Sequence, residues 1–195
     1  MSIKKFFFSN RSYTPIPIVL FVLYNSEPKI KTVFIGFLIL LIGEIIRMIS
    51  VSYAGGITRT RKVGAPSLCS SGPYAYTRNP LYIGNMLIYS GIVIISGAEN
   101  IIFLLFIVLL FFTIQYTMIV SLEEQTLEKL FSKQYQVYKI NVPRIIPRLN
   151  PWENSDNRKP SSFLKTIKTE KRTLQNIFLI ICLMLTKTYW ANFIF

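Results

Sequence analysis

A tyrosine-rich stretch between two apolar segments holds the residues best suited to chemistry. Gly72-Pro73 is a turn signal, and Asn79-Pro80 predicts a helix start with Asn as the N-cap. Arg78 precedes this helix, whose open N–H groups would suit a ligand with anionic groups. Three tyrosines lie at the same entry: Tyr74, Tyr76 and Tyr82. The alternative interpretation is a belt of Tyr and Arg at a lipid interface.

The remaining candidate groups are few. Glu123 and Glu124 follow a later apolar segment, where solvated carboxylates are also common. The chain has no histidine, so proton transfer would require Glu, Tyr, a substrate group or water. Its two cysteines, Cys69 and Cys182, form no disulfide framework and no metal site is predicted. Glycine-rich nucleotide motifs are absent from the sequence.

Composition predicts an all-α, multi-pass transmembrane helical bundle. Of the 195 residues, 51% are hydrophobic, and several apolar runs approach the ~20 residues that a spanning helix needs. These runs lack the alternation of barrel strands. The net charge is +13, and the basic residues cluster mainly beside these apolar runs. This placement indicates that they contact lipid headgroups and set the membrane topology, rather than bind nucleic acid.

The sequence predicts four core spans. They are Tyr13–Tyr24, Thr32–Tyr53, Pro80–Ser96 and Asn100–Leu122. The short joint between the last two predicts an antiparallel hairpin. Glu44 and Arg47 lie about one helical turn apart inside the second span and are expected to pair with each other. The alternative is that they form a polar wall of a substrate cavity.

Charge distribution predicts that both ends of this core face the cytoplasm. The loop Ala54–Arg78 contains the basic run Arg59 to Lys62, and basic loops favour the cytoplasmic side. Ser121–Lys139 has the pattern of an amphipathic helix on that surface, followed by an extended basic segment, Asn141–Arg148. The predicted active site therefore lies on the cytoplasmic face.

We divide the chain into a membrane core, residues 1–150, and a tail, residues 151–195. Asn150–Lys171 is polar and predicts a loose linker. The apolar residues from Ile177 onward, interrupted by Lys187, fit a fifth span, an interfacial helix or a poorly ordered tail, with interfacial or partial insertion favoured.

Two motifs of this chain resemble the isoprenylcysteine carboxyl methyltransferase and phospholipid methyltransferase family. The first is Gly72-Pro73-Tyr74-Ala75-Tyr76-x-Arg78-Asn79-Pro80-x-Tyr82-x-Gly84. The second is Glu123-Glu124, followed by Phe131-x3-Tyr135-x2-Tyr138-x3-Val142-Pro143-Arg144. The resemblance covers roughly residues 54 to 148. It implies an integral-membrane enzyme that uses S-adenosylmethionine.

The resemblance also implies site residues. Expected cofactor contacts are Pro66, Ser67, Leu68, Cys69, Tyr74, Asn79, Pro80, Leu81, Tyr82 and Glu123. The residues themselves, rather than the resemblance, give Glu124 and Arg78 as expected catalytic residues, with Glu124 or a tyrosine as the base for an amine acceptor, and Tyr135, Tyr138 and Arg144 as residues that line the site. The family often has His where Asn79 stands. It also places an Arg before the Glu pair in prenylcysteine enzymes, whereas residues 115–122 here contain no Arg or Lys.

The expected function is methyl transfer to a lipidic or hydrophobic acceptor through a carboxylate, amine or thiol. The expected partners are membrane lipids and that acceptor, without nucleic acid or metal. Two alternatives stay open: an NADPH-dependent membrane reductase of the sterol-reductase type, which Arg59, Arg61, Arg78 and Arg144 could serve, and a non-catalytic membrane scaffold.

Overall fold

The computed structural model describes residues 2–55, 63–153 and 156–194, and within these ranges the chain is helical without a strand. The described residues form six α-helices: α1 (Ile3–Asn10), α2 (Ile16–Tyr24), α3 (Ile30–Ala54), α4 (Pro80–Ser96), α5 (Ile101–Asn141) and α6 (Phe163–Ile194). A short 3-10 helix covers Gly72–Ala75. The basic run Arg59 to Lys62 lies outside the described residues.

The closest helix packing is between α3 and α4, and glycines make it possible. A Cβ on Gly36 would lie 2.6 Å from the carbonyl oxygen of Gly91, and one on Gly43 would lie 2.8 Å from that of Gly84. Each helix therefore presents two glycines seven residues apart, in antiparallel register. Small residues let helix backbones approach closely in membrane proteins. α5, α6 and the 3-10 helix pack against this pair of helices.

The N-terminal segment differs from the predicted first span. Two short helices replace it, because Pro15 and Pro17 interrupt the backbone hydrogen bonds at the start of α2. With nine residues, α2 is only about 14 Å long at ~1.5 Å per residue. α1 packs on α5, where Lys4 donates to Ser121 Oγ at 2.8 Å.

The predicted hairpin between α4 and α5 is confirmed. Gly97 adopts a left-handed conformation (φ 59°) at the end of α4, and α5 begins at Ile101. α5 then continues through the predicted amphipathic segment to Asn141, with one interruption at Ser132 (φ 38°). The predicted helix start at Pro80 is also confirmed, whereas the side chain of Asn79 makes no capping hydrogen bond.

The tail is more ordered than its composition suggests. Residues 163–171, predicted as part of a loose linker, form the first turns of α6, and Glu170 within them is fully buried. Thr166 is also buried. Tertiary packing against α3 therefore overrides the polar composition of this segment.

Two described helices, α3 and α5, are long and apolar enough to cross a membrane. α4 is apolar but has 17 residues, and α2 has nine. Both lie below the ~20 residues that a typical bilayer requires. The structure thus supports a helical membrane protein, while the four-span core stays a prediction.

Candidate active site

One cavity of about 860 Å³ brings together most of the predicted site residues. The cavity runs along α4. Its lining residues there change from Tyr82 and the N-cap Asn79, through Asn85, to Ile88 and Ile92. At ~1.5 Å per residue, these positions extend over about 20 Å. The lining is therefore polar near the start of α4 and aliphatic near its end.

We call these two parts the polar end and the apolar end. The polar end is lined by Ser67, Leu68, Cys69, Tyr74, Arg78, Asn79, Leu81, Tyr82, Glu123, Glu124, Tyr135, Tyr138 and Arg158. The apolar end is lined by Ile16, Val19, Leu20 and Leu23 of α2, Ile88 and Ile92 of α4, and Ile177, Leu179, Ile180 and Leu183 of α6.

At the polar end, Glu124 is held by two arginines. Arg78 donates from Nε and Nη2 to Glu124 Oε1 at 3.2 and 2.9 Å, and Arg144 forms a second ion pair with the same carboxylate. The hydrogen bond to Glu124 raises the pKa of Arg144. Two cations stabilise the anionic form of Glu124 and occupy its oxygens, which disfavours its use as a base.

Glu123, the next residue along α5, has a different environment. Its Oε2 accepts a hydrogen bond of 2.9 Å from the Tyr82 hydroxyl, and the Tyr82 ring packs on Tyr116 with centroids 4.8 Å apart. Glu123 and Tyr82 both line the cavity. This carboxylate and the adjacent aromatic faces could hold a cationic group.

The loop before α4 is attached to the segment after α5 by a series of hydrogen bonds. Arg78 N donates to Pro143 O at 2.9 Å, and Arg148 N donates to Tyr76 O at 2.9 Å. Asn79 Nδ2 donates to Arg144 O at 3.0 Å, so this amide joins the two segments instead of capping α4. The predicted extended segment after Asn141 thus positions the loop.

Aromatic side chains reinforce this attachment. The Tyr138 hydroxyl donates to Tyr74 O at 2.7 Å, and the rings of Tyr138 and Trp152 pack with centroids 5.7 Å apart. Tyr135 is 1% exposed. Burial raises the pKa of the Tyr74 phenol, which keeps this group protonated. These tyrosines therefore act as structural hydrogen-bond donors and apolar packing groups in this state.

Arg158 also lies at the polar end, although the sequence predicts that its segment is a loose linker. Its Nη2 donates to Ser67 Oγ at 2.7 Å and to Leu68 O at 3.3 Å, and Nε forms an ion pair with Asp156 at 3.2 Å. Burial raises the pKa of the neighbouring Cys69 thiol to about 11. A lone Arg in a polar stretch offers no sequence signal for this placement.

Arg47 lies between the two ends of the cavity. It was expected to pair with Glu44, but its salt bridge is with Glu170, which is 123 residues away on α6. It also bonds to Asn85 and donates to Thr173 Oγ1 at 3.1 Å. Arg47, Asn85 and Thr173 line the cavity, whereas Glu44 does not, so only Arg47 of the predicted pair contributes to a polar wall.

Three predicted site residues do not line the cavity: Pro66, Pro80 and Arg144. Pro80 is buried at the first position of α4, and Arg144 acts on the site through Glu124. The other twelve predicted residues lie along the polar end. Their roles in cofactor binding and catalysis stay predictions.

Comparison with known proteins gives one match. A family model described as phospholipid methyltransferase matches residues 31–134, which cover α3, α4 and most of α5. No curated protein and no solved structure matches the chain.

Proposed function

Because this chain belongs to the phospholipid methyltransferase family, we propose that it transfers a methyl group from S-adenosylmethionine to a lipidic or hydrophobic acceptor. The observation that carries this proposal is the continuity of one cavity from a polar end to an apolar end. The polar end suits the charged, water-soluble methyl donor, and the apolar end suits a hydrophobic methyl acceptor. The methyl group would be transferred where the two meet.

We propose a multi-pass arrangement with the polar end on the cytoplasmic side. α3, α4 and α5 would provide three of the predicted crossings, with α1 and α2 together in place of the fourth. The cofactor would then reach the polar end from the cytoplasm, and the acceptor would reach the apolar end from the membrane. The basic residues of the loop before α4 and of the segment after α5 support this orientation.

The residues at the polar end suit the amino-acid head of the cofactor. Glu123, bonded to Tyr82, would receive its ammonium group, and Arg158 would receive its carboxylate. The aromatic rings of Tyr82 and Tyr116 would face its sulfonium. Cys69 and Leu68 would line the rest of this end.

When bound, S-adenosylmethionine supplies an electrophilic methyl group whose bond to sulfur breaks as the acceptor's lone pair forms the new bond. The protein's contribution is to align the acceptor and exclude water. We assign Glu124 and Arg78 to positioning, because their mutual ion pair fixes α5 against the loop before α4. A carboxylate or thiolate acceptor needs no base, whereas an amine must first lose a proton.

The decisive experiment is a thermal shift of the detergent-purified protein with S-adenosylmethionine, its demethylated product, or NADPH. Ligand at about 100 times its dissociation constant adds about 2.7 kcal/mol of stability. Glu123→Gln should remove the shift, and Glu128→Gln, an exposed carboxylate on the same helix, should preserve it. A wild-type shift that survives Glu123→Gln would contradict the assignment of this residue.

The family match does not favour the reductase alternative. A shift with NADPH alone would nevertheless replace the methyltransferase proposal by the reductase. A protein that responds to none of the three compounds would support the scaffold alternative.

A further inference from the structure

The apolar end of the cavity depends on α6, which lies beyond the residues that the family model matches. Cavity-lining residues on this helix recur at helical spacing, at Thr173, Asn176, Ile177, Ile180 and Leu183. They form one face of α6. The facing residues on α2, from Ile16 to Leu23, also follow this spacing. Two helices therefore enclose the aliphatic part of the cavity.

Polar contacts hold α6 in place before and after these residues along the helix. Glu170 pairs with Arg47 of α3, and Lys187 Nζ donates to the carbonyl oxygens of Leu23, Tyr24 and Ser26 at the end of α2. The two attachments are 17 residues apart, about 25 Å along the helix at ~1.5 Å per residue. These attachments place the aliphatic face between them along the cavity.

The wall between α2 and α6 is also open to the outside. Leu20, Leu179 and Leu183 line the cavity, yet they are 60%, 55% and 46% exposed. By contrast, the cavity-lining residues Ile88 and Ile92 of α4 are 4% and 3% exposed. An aliphatic cavity with an aliphatic opening suits a hydrocarbon chain that enters sideways from a membrane.

We infer that α6 is the specificity element for the acceptor: its hydrocarbon chain lies between α2 and α6, and Ile180 limits the length of chain that fits. The inference rests on the proposed function for the identity of the acceptor, but the hydrocarbon site can be tested separately. The partly buried Ile180 lines the cavity and packs against the core, whereas Phe178 on the same helix is 72% exposed and does not line it. These two positions provide a matched pair of variants.

The test uses the full chain in detergent and a diazirine derivative of palmitic acid, which crosslinks to nearby residues on illumination. In the wild type, labelling should map to the facing surfaces of α2 and α6. Competition with decanoic, myristic and stearic acids then gives the preferred chain length.

Ile180→Trp should weaken competition by the longer acids about tenfold, because the larger ring occupies their space. Ile180→Ala should shift the preference towards stearic acid, and Phe178→Trp should match the wild type. The opposite responses of the Trp and Ala variants separate a specificity role from damaged folding. Labelling confined to the outer faces of other helices, or equal profiles for the Ile180 and Phe178 variants, would overturn the inference.

A parallel thermal shift with S-adenosylmethionine separates this inference from the proposed function. Binding should be retained in both Ile180 variants, because Ile180 lies at the apolar end. Specific labelling of α2 and α6 without any response to S-adenosylmethionine would leave the hydrocarbon site standing and reject the methyltransferase. A response to S-adenosylmethionine without such labelling would support the methyltransferase and reject the hydrocarbon site between α2 and α6.

Discussion

Different interactions hold the helices and loops together at the two ends of the cavity. At the polar end, ion pairs and backbone hydrogen bonds attach the loop before α4 to the segment after α5. At the apolar end, α2 and α6 are joined mainly at the end of α2, through Lys187, and exposed leucines leave an opening between them. The polar end is therefore fixed, and the apolar end is accessible.

This difference suits two ligands with different requirements. A polar cofactor needs donors and acceptors at set positions, and a buried network supplies them only if its members are satisfied. A hydrocarbon chain needs only aliphatic surface, and it gains affinity without directional contacts. Variants at the two ends should thus differ in their effects on stability.

The largest loss of stability is expected when the ion pairs at the polar end are broken. Glu124→Gln would leave the Arg78 guanidinium, which is 10% exposed, without its carboxylate. Removing one partner of a buried pair costs about 3 kcal/mol, equivalent to a decrease of about 6–12 °C in melting temperature. The measurement is thermal unfolding of the purified protein in detergent without ligand.

Glu128→Gln is the matched control for this variant, because Glu128 pairs with Lys139 on the same helix and both side chains are more than 40% exposed. Exposed pairs contribute about 0.2–1 kcal/mol. Similar melting temperatures for the two variants would mean that the polar end is not held by Glu124.

An intermediate effect is expected in the reactivity of Cys69, because burial disfavours its thiolate. A pKa raised from 9.0 to about 11 leaves about 100-fold less thiolate near neutral pH. In a Cys182→Ser background, the rate of alkylation of Cys69 should keep rising about tenfold per pH unit until it levels off near pH 11, whereas an ordinary thiol levels off near pH 9. The neutral thiol is favoured in the folded state, so its stabilising effect should decline between pH 9 and 11.

The control for Cys69 is the same protein unfolded in denaturing detergent, where the thiol should react with an ordinary pH dependence. A folded protein that is alkylated as quickly as the unfolded one would show that burial does not suppress the Cys69 thiolate. Protection of Cys69 by S-adenosylmethionine at high pH would in addition support its place in the cofactor site.

The smallest effect is expected at the apolar end. Lys187→Met removes hydrogen bonds from an exposed side chain to three carbonyl oxygens. Because the exposed ammonium group bonds to water in their absence, the net contribution of the whole set is about 1 kcal/mol or less. The melting temperature should therefore change little, while amide hydrogen exchange near the end of α2 should become faster. Lys165→Met, an exposed lysine near the start of α6, should change neither quantity. A large decrease in stability from Lys187→Met would contradict an apolar end that is only loosely joined.

The family resemblance could be recognised from sequence because its two motifs are local. Gly72-Pro73 and Asn79-Pro80 specify a turn and a helix start through the backbone preferences of proline and its neighbours, and both are confirmed. Gly97 likewise ends α4 where the hairpin was expected. The comparison with known proteins confirms the family.

The sequence by itself determined the helical class, the breaks between most helices and the residues available at the polar end. Only the tertiary structure decided which partners they have. Glu124 lies beside Glu123 in sequence, yet it binds two arginines while Glu123 accepts from Tyr82, because successive side chains of a helix point in different directions. Arg47 pairs with Glu170 and Arg158 reaches Ser67 across 91 or more residues, and such contacts depend on packing that local preferences cannot specify.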